Sequence, residues 1–195
     1  MSRFILLMLF VAIIPLKAQT LHFKVIHDGK SLGTLDATKT VTGNTVIYTS
    51  HTEIEYHLLV AIKVVYDYHV TYTNGHLQEA KAHIIVRGND KTKAKTVKEG
   101  SAYGYYSEGA FVKKIPAEFI KHSIVQLLFE EPVGVTKIYA EEHGEYHNIR
   151  AIGDHTYLKT APNGNTNTYY YKNGLLQKSD VNAGVIKFSI VNVPQ

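Results

Sequence analysis

His143-Gly144-Glu145-Tyr146-His147 sets two histidines four residues apart, the spacing at which a helix brings both rings to one zinc ion. That chemistry asks for glutamate directly after the first histidine, and Gly144 stands there instead. The surroundings alternate as a hairpin does, and on a strand residues four apart lie roughly 13 Å from one another, too far for one ion. No metal site is expected. Serine chemistry fares no better. Gly100-Ser101-Ala102-Tyr103-Gly104 and Gly104-Tyr105-Tyr106-Ser107-Glu108-Gly109 each miss the G-x-S-x-G elbow by one position, with no partnered base. Glu130-Glu131 and Glu141-Glu142 supply carboxylates, but neighbouring side chains diverge on an extended chain and need not share a glycosidic bond. No glycine loop precedes a helix to cradle a phosphate. The sequence names no catalytic residue and no cofactor, and it leaves a hydrolase of envelope polymers as the weakest of three readings.

Two residue types are abundant without forming a motif. The eleven histidines are scattered. Counting back from Asn74-Gly75, Tyr72 faces Leu77, Tyr68 faces Lys81 and Tyr66 faces His83, which sends His69 and His83 to opposite faces. A pH response is compatible with histidine's titration near neutrality. The fourteen tyrosines concentrate on strands. Tyrosine offers a broad apolar ring with one polar tip, which suits a ligand-lined concavity and equally an ordinary half-buried sheet. Tyr66, Tyr68, Tyr72, Tyr169 and Tyr171 are the candidate ligand-binding residues, provided the sheet curls toward them.

The elements that must position these residues are strands. Apolar and polar residues alternate over residues 21–27, 33–40, 45–49, 54–72, 136–142, 145–152, 155–160 and 185–193. Turn signals punctuate them: Asp28-Gly29, Gly43-Asn44, Gly88-Asn89, Gly153-Asp154, Pro162-Asn163-Gly164 and, strongest of all, Asn74-Gly75 and Asn173-Gly174. Lys91, Lys93 and Lys95 alternate on one strand face, a pattern that more often blocks edge-to-edge aggregation than binds nucleic acid. Tyr72-Thr73-Asn74-Gly75-His76-Leu77-Gln78 and Tyr171-Lys172-Asn173-Gly174-Leu175-Leu176-Gln177 both fit Y-x-N-G-x-L-Q, and convergence on good turn chemistry outweighs an ancestral repeat. One segment departs from period two. Residues 116–131 carry Ile120, Ile124, Leu127 and Leu128 at helical spacing between Pro116 and Pro132, predicting one short amphipathic helix, with a strand near residues 125–129 as the alternative. Strands without intervening helices give an all-β fold: an antiparallel meander curled into an open or half barrel, with that helix against its mouth.

Arg3, the apolar run over residues 4–14 and the small residue Ala18 read as a secretory leader of residues 1–18, cut between Ala18 and Gln19. The run is too short to span a bilayer, so no transmembrane segment is expected in the mature chain. Residues 19–195 then form one β-rich domain beyond the cytoplasmic membrane, periplasmic or secreted. Losing Arg3 and Lys17 takes the formal net charge from +4 to +2, weak attraction for nucleic acid. Without any cysteine, neither a disulfide nor a lipid anchor through cysteine is available.

The run Phe129-Glu130-Glu131-Pro132-Val133-Gly134, then Tyr139 to Gly144, Tyr157, Pro162-Asn163-Gly164, Asn167, Tyr169, Tyr171 and Asn173-Gly174, joins Gly33, Tyr48, Tyr66 and the Tyr72 to Leu77 hairpin in a recognisable pattern. It resembles an exported β-rich family of unknown function common in Gram-negative Bacteroidetes, and covers nearly all of the mature chain. The resemblance implies a fold and no catalytic residues. More distantly, the chain is similar to lipoprotein-carrier and capsule-lipoprotein half-barrels, which by analogy implies a hydrophobic cavity. The expectation is a non-enzymatic envelope protein that holds a lipid or other amphiphilic ligand on its concave face, or an envelope protein partner there. The structural alternative is a scaffold pairing through a strand edge or aromatic patch.

Overall fold

The computed structural model describes residues 17–57, 60–116, 120–182 and 186–194. Its strands are β1 (Lys17–His27), β2 (Lys30–Thr42), β3 (Thr45–His57), β4 (Ala61–Thr73), β5 (His76–Val86), β6 (Asn89–Glu99), β7 (Ala102–Ser107) and β8 (Ala110–Ile115). After a single 3-10 turn, η1 (Ile124–Leu128), come β9 (Lys137–Ala140), β10 (Glu145–Gly153), β11 (Thr156–Thr160), β12 (Thr166–Lys172), β13 (Leu175–Asn182) and β14 (Lys187–Asn192). All fourteen form one sheet in the order β8-β7-β6-β5-β4-β3-β2-β1-β14-β13-β12-β11-β10-β9. Neighbours in the sheet are neighbours in sequence except β1 and β14, where Phe23 opposite Asn192 and Val25 opposite Ile190 join the two halves. The sheet is an antiparallel meander, curled and open. Nearly all of the expected leader lies outside the described residues; β1 begins at Lys17, with Ala18 opposite Thr40, so the expected cut falls within its first residues.

Register is set at the turns. Asp28-Gly29, Asn74-Gly75, Arg87-Gly88, Glu108-Gly109 and Asn173-Gly174 have positive φ at both central positions, the twist that suits a two-residue hairpin. Each returning strand then carries one extra residue: Leu32, Gln78, Lys91, Val112 and Gln177. Such bulges bend and twist the strand pair, which favours a curl. In the two Y-x-N-G-x-L-Q hairpins the bulged glutamine donates from Nε2 to the carbonyl two residues back, at 3.0 Å to His76 and 3.2 Å to Leu175. Because the same bulge follows three differently spelled turns, the shared geometry belongs to the turn type.

The bulge at Gln78 corrects the register counted from the sequence. Tyr72 does face Leu77, but Tyr68 faces Ala82 and Tyr66 faces Ile84. His83 therefore stands opposite Asp67 and His69 opposite Lys81, which puts His69 and His83 on the same outer face rather than opposite ones. The lysine pattern is also reassigned. β6 lies between β5 and β7, away from either edge of the sheet. Lys93 pairs with Asp90, and Lys95 with Glu79 at 3.2 Å, while the bulge turns Lys91 out of their row. Lys93 and Lys95 serve ion pairing across the outer face, and Lys91 lies at the cavity on the other side of the sheet. The long extended stretch read over residues 54–72 is likewise two strands, β3 and β4.

The concave side holds the core: Phe23, Leu35, Tyr48, Val70, Tyr72, Leu77 and Leu176 among others. Across it runs the connection from β8 to β9. The expected helix is reduced there to η1, and residues 117–119 lie outside the described residues. The reason is competition for the backbone. Leu77 N–H donates to Ile120 O at 2.9 Å, Tyr139 N–H to His122 O at 2.9 Å, and Tyr171 OH to Leu127 O at 2.7 Å. Carbonyls bound to the surrounding strands are not available for a continued helical ladder. The Glu130-Glu131 pair then ties the connection to both halves of the sheet. Glu130 accepts from Tyr48 OH at 2.7 Å and from Lys39; Glu131 accepts from Tyr157 OH at 2.8 Å and contacts His155. These carboxylates are clamps.

Candidate functional site

The curl leaves a cavity of about 910 Å³ between the concave face and η1. Its aliphatic and aromatic lining comes from Leu35, Ile54, Tyr66, Tyr68 and Ile84 in the first half of the sheet, Tyr169, Phe188 and Ile190 in the second, and Ile124 and Leu128 of η1, with Ser50, Thr52, Lys91, Thr92 and Asn167 among the polar residues between them. Alternation explains the set, since every second residue of each strand points inward. A volume near the top of the usual range for ligand pockets, about 300–1,000 Å³, makes this the candidate site. A second depression of about 390 Å³ near β12 to β14 has polar groups already joined to each other, with Asp180 accepting from Ser189 and Tyr170.

Of the five tyrosines proposed from the sequence, Tyr66, Tyr68 and Tyr169 line the cavity. Tyr72 and Tyr171 are not among its lining residues and belong to the packed core. Tyr72 meets Tyr48 edge-on with ring centroids 6.0 Å apart, and Tyr171 meets Tyr157 in the same way at 5.7 Å. The period-two reading offered all five as lining provided the sheet curled toward them; it had no means of knowing the direction of the curl or where the connection would fill the interior.

What sequence reasoning missed is a polar cluster on one wall, formed by Glu142, His143, Glu145, His147 and Lys159. Tyr68 OH donates to Glu142 Oε2 at 2.7 Å, and His143 Nε2 lies 2.8 Å from Glu142 Oε1. Lys159 is only 6% exposed, and its Nζ donates to His147 Nδ1 at 3.1 Å. His147 Nε2 faces Glu145 Oε1 at 3.4 Å. The signal for Lys159 was present in its phase: it stands two residues after the inward Tyr157, where an apolar residue is the default. His143 and His147 were expected roughly 13 Å apart. Their ring centroids are 6.4 Å apart, because His143 lies in the turn before β10 and only His147 is on the strand.

Electrostatics divide the cluster. Burial pushes the Lys159 ammonium below the usual lysine range, with Glu142 and Glu141 partly opposing. Burial opposes ionisation of Glu142 as well, yet the contacts from His143 and Tyr68 outweigh it and hold that carboxyl below the ordinary value. Next to it, Glu141 is buried with its carboxyl raised, and the Val125 N–H donates to its Oε1 at 3.0 Å. Glu141 thus caps η1 from beneath the cavity.

The two histidines titrate in opposite directions. The Glu142 contact raises His143 above 6.5, whereas burial and then Lys159 lower His147 beneath it. For His143 the associated stability is complete below 6.5 and is lost as pH rises through the raised folded value. For His147 it is complete above 6.5 and is lost as pH falls through the lowered folded value. NMR titration of the ring protons is expected to give one midpoint on each side of 6.5, and Glu142→Gln to bring the His143 midpoint down. A His143 midpoint unmoved by that substitution would refute the pairing.

A family model described as a domain of unknown function (DUF6134) matches residues 23–192. None of the curated proteins matches the chain. Among solved structures it is similar to a β-barrel-like protein of domain of unknown function DUF1849 from Brucella abortus, at 8% identity and a TM-score of 0.57, over 94% of this chain and 97% of that one. That likeness concerns the fold. Among the described residues no helix is long and apolar enough to cross a membrane.

Proposed function

We propose a ligand-holding role for this chain, which belongs to the DUF6134 family of domains of unknown function: it binds one amphiphilic molecule inside its curled sheet. The observation that carries the reading is the cavity of about 910 Å³, part aliphatic and part polar, with its ionisable groups, Lys91 apart, gathered near β10 and β11. A filled core would have closed that space with side chains. Export through the leader of residues 1–18 would put the protein in the envelope, where amphiphilic molecules are abundant. Tyr66, Tyr68 and Tyr169 serve as wall, and Tyr72 and Tyr171 as the packed floor that keeps the curl in shape. Native mass spectrometry and organic extraction of protein purified from its own host test this. A co-purifying apolar or amphiphilic molecule at one per chain is expected; a chain that never carries one would end the reading.

A second reading rests on β8, an edge of the sheet. Phe111 is 58% and Val112 53% exposed there, unusual for a strand whose outer edge is open to pairing. An envelope protein docking by strand addition would cover both. In-cell cross-linking from Phe111 separates the two ideas, because a scaffold yields one protein adduct and a carrier yields extracted lipid.

A further inference from the structure

We infer that the ligand enters with a carboxylate head, held on the ammonium of Lys159, and lays its hydrocarbon chain along the aliphatic wall. The inference rests on the ligand-holding reading and adds the chemical class. Lys159 combines two properties that rarely coexist. It is buried, and it lines a cavity large enough for a ligand. An ammonium has three donors, and the contact to His147 uses one of them. Among the described residues no carboxylate oxygen stands within 4.0 Å of its Nζ. A buried cation without a counter-ion is costly unless something completes its hydrogen bonds.

The neighbouring acids are already engaged. Glu142 is held by His143 and Tyr68, Glu145 faces His147, and Glu141 caps η1. Glu142, the acid of the cavity wall bound most fully, cannot turn to Lys159 without giving up those contacts. A carboxylate offers two acceptor oxygens to the two remaining donors and forms charge-assisted bonds with them. It also brings a single negative charge, which matters because Glu142 and Glu145 share the wall and would repel a dianionic head more strongly. The suppressed basicity of Lys159 fits a site awaiting an anion. Leu35, Ile54, Ile84, Leu128 and Ile190 present methyl and methylene groups beside the smaller polar Ser50, Thr52 and Thr92, which suits a hydrocarbon tail; the other lysine of the lining, Lys91, is exposed and so lacks the burial that singles out Lys159. The ligand class is therefore a long-chain fatty acid or a carboxylate amphiphile of like shape.

Calorimetric binding of hexadecanoate and hexadecanol to the full chain, delipidated first, tests the head and the tail separately. The wild type is expected to prefer the acid by at least about tenfold, the worth of a charge-assisted hydrogen bond. Lys159→Met, which keeps length and burial while removing the charge, is expected to lose that preference and still bind the alcohol. Equal affinity of the wild type for both ligands, or an acid preference surviving in Lys159→Met, overturns the carboxylate assignment and leaves the ligand-holding role intact. Failure of both ligands to bind, with nothing extracted from native protein, removes the role itself. Acetate at equal excess is expected not to displace hexadecanoate; displacement would mean an anion site without a tail and would overturn the inference. A measurement on the wild type covers the case of a variant that does not fold. The side-chain NMR titration of Lys159 is expected to move to higher pH with hexadecanoate and not with hexadecanol, and no movement counts against the inference.

Discussion

Gly33→Ala is expected to melt roughly 6–12 °C below the wild type, corresponding to about 3 kcal/mol, the upper end of what overpacking costs. Gly33 lies on β2 opposite Ile54 of β3 and directly after the bulge at Leu32. A Cβ there would stand 1.8 Å from the Glu53 carbonyl oxygen and 2.8 Å from its carbon. Both are backbone atoms, so no rotamer change can make room; the two strands must separate. That separation would reach the cavity, since Leu35 and Ile54 are wall residues on these same strands. Gly153→Ala is the matched control. Gly153 also lies on a strand, its φ is not positive, and its nearest Cβ neighbour would be Thr156 at an ordinary 3.8 Å. That variant is expected within about 0.5 kcal/mol of the wild type. Calorimetric scans in which the two variants melt together would show that strands β2 and β3 have slack at Gly33.

The fold was legible where chemistry is local. Asn74-Gly75 and Asn173-Gly174 announced tight hairpins, and both have the positive φ pair that such turns require. Alternation alone put Tyr66, Tyr68 and Tyr72 on one face of their strand, and Tyr169 and Tyr171 on one face of theirs, without saying which face the curl would enclose. Three things were not legible. The bulges at Gln78 and its four counterparts shift register by one without any distinctive residue, and one residue is enough to bring His69 and His83 to the same face. β3 ends at His57 and β4 begins at Ala61, and the sequence between them has no glycine, proline or asparagine to mark the change. The segment read as a helix over residues 116–131 carries Ile120, Leu127 and Leu128 buried and Ile124 half-buried, as the pattern demands, but the backbone answers to strands distant in sequence. The candidate site suffered from the same non-locality. Glu142, His143, Glu145 and His147 meet Lys159 only because β10 and β11 pair side by side within the curl. Lysine among inward positions was the one local trace.

The contact that joins the two ends of the sheet yields the other large effect. Tyr105 is on β7, one strand from the edge at β8; Gly144 lies in the turn from β9, the opposite edge, into β10. Across that gap the Tyr105 hydroxyl donates to the Glu142 carbonyl at 2.7 Å, and Thr96 and Tyr139 share a hydrogen bond of 2.6 Å. Gly144 has φ +62, and a Cβ on it would lie 2.3 Å from Cδ2 and 2.4 Å from Cγ of the Tyr105 ring. Cγ is the root of the ring, so the side chain must leave its rotamer and release Glu142. Gly144→Ala therefore carries two penalties, about 1–2 kcal/mol for left-handed backbone and about 1–3 kcal/mol for displacing the ring. The second vanishes when the ring is absent. In a double-mutant cycle, Gly144→Ala is expected to cost only the backbone share in a Tyr105→Ala background, leaving a coupling of at least about 1 kcal/mol. Additive effects in denaturant titrations would show that Tyr105 and Gly144 do not meet in solution, and the curl would then lack its clasp. Because Tyr105 and Glu142 also line the cavity, loss of the clasp is expected to weaken hexadecanoate and hexadecanol binding alike, whereas Lys159→Met weakens only the acid.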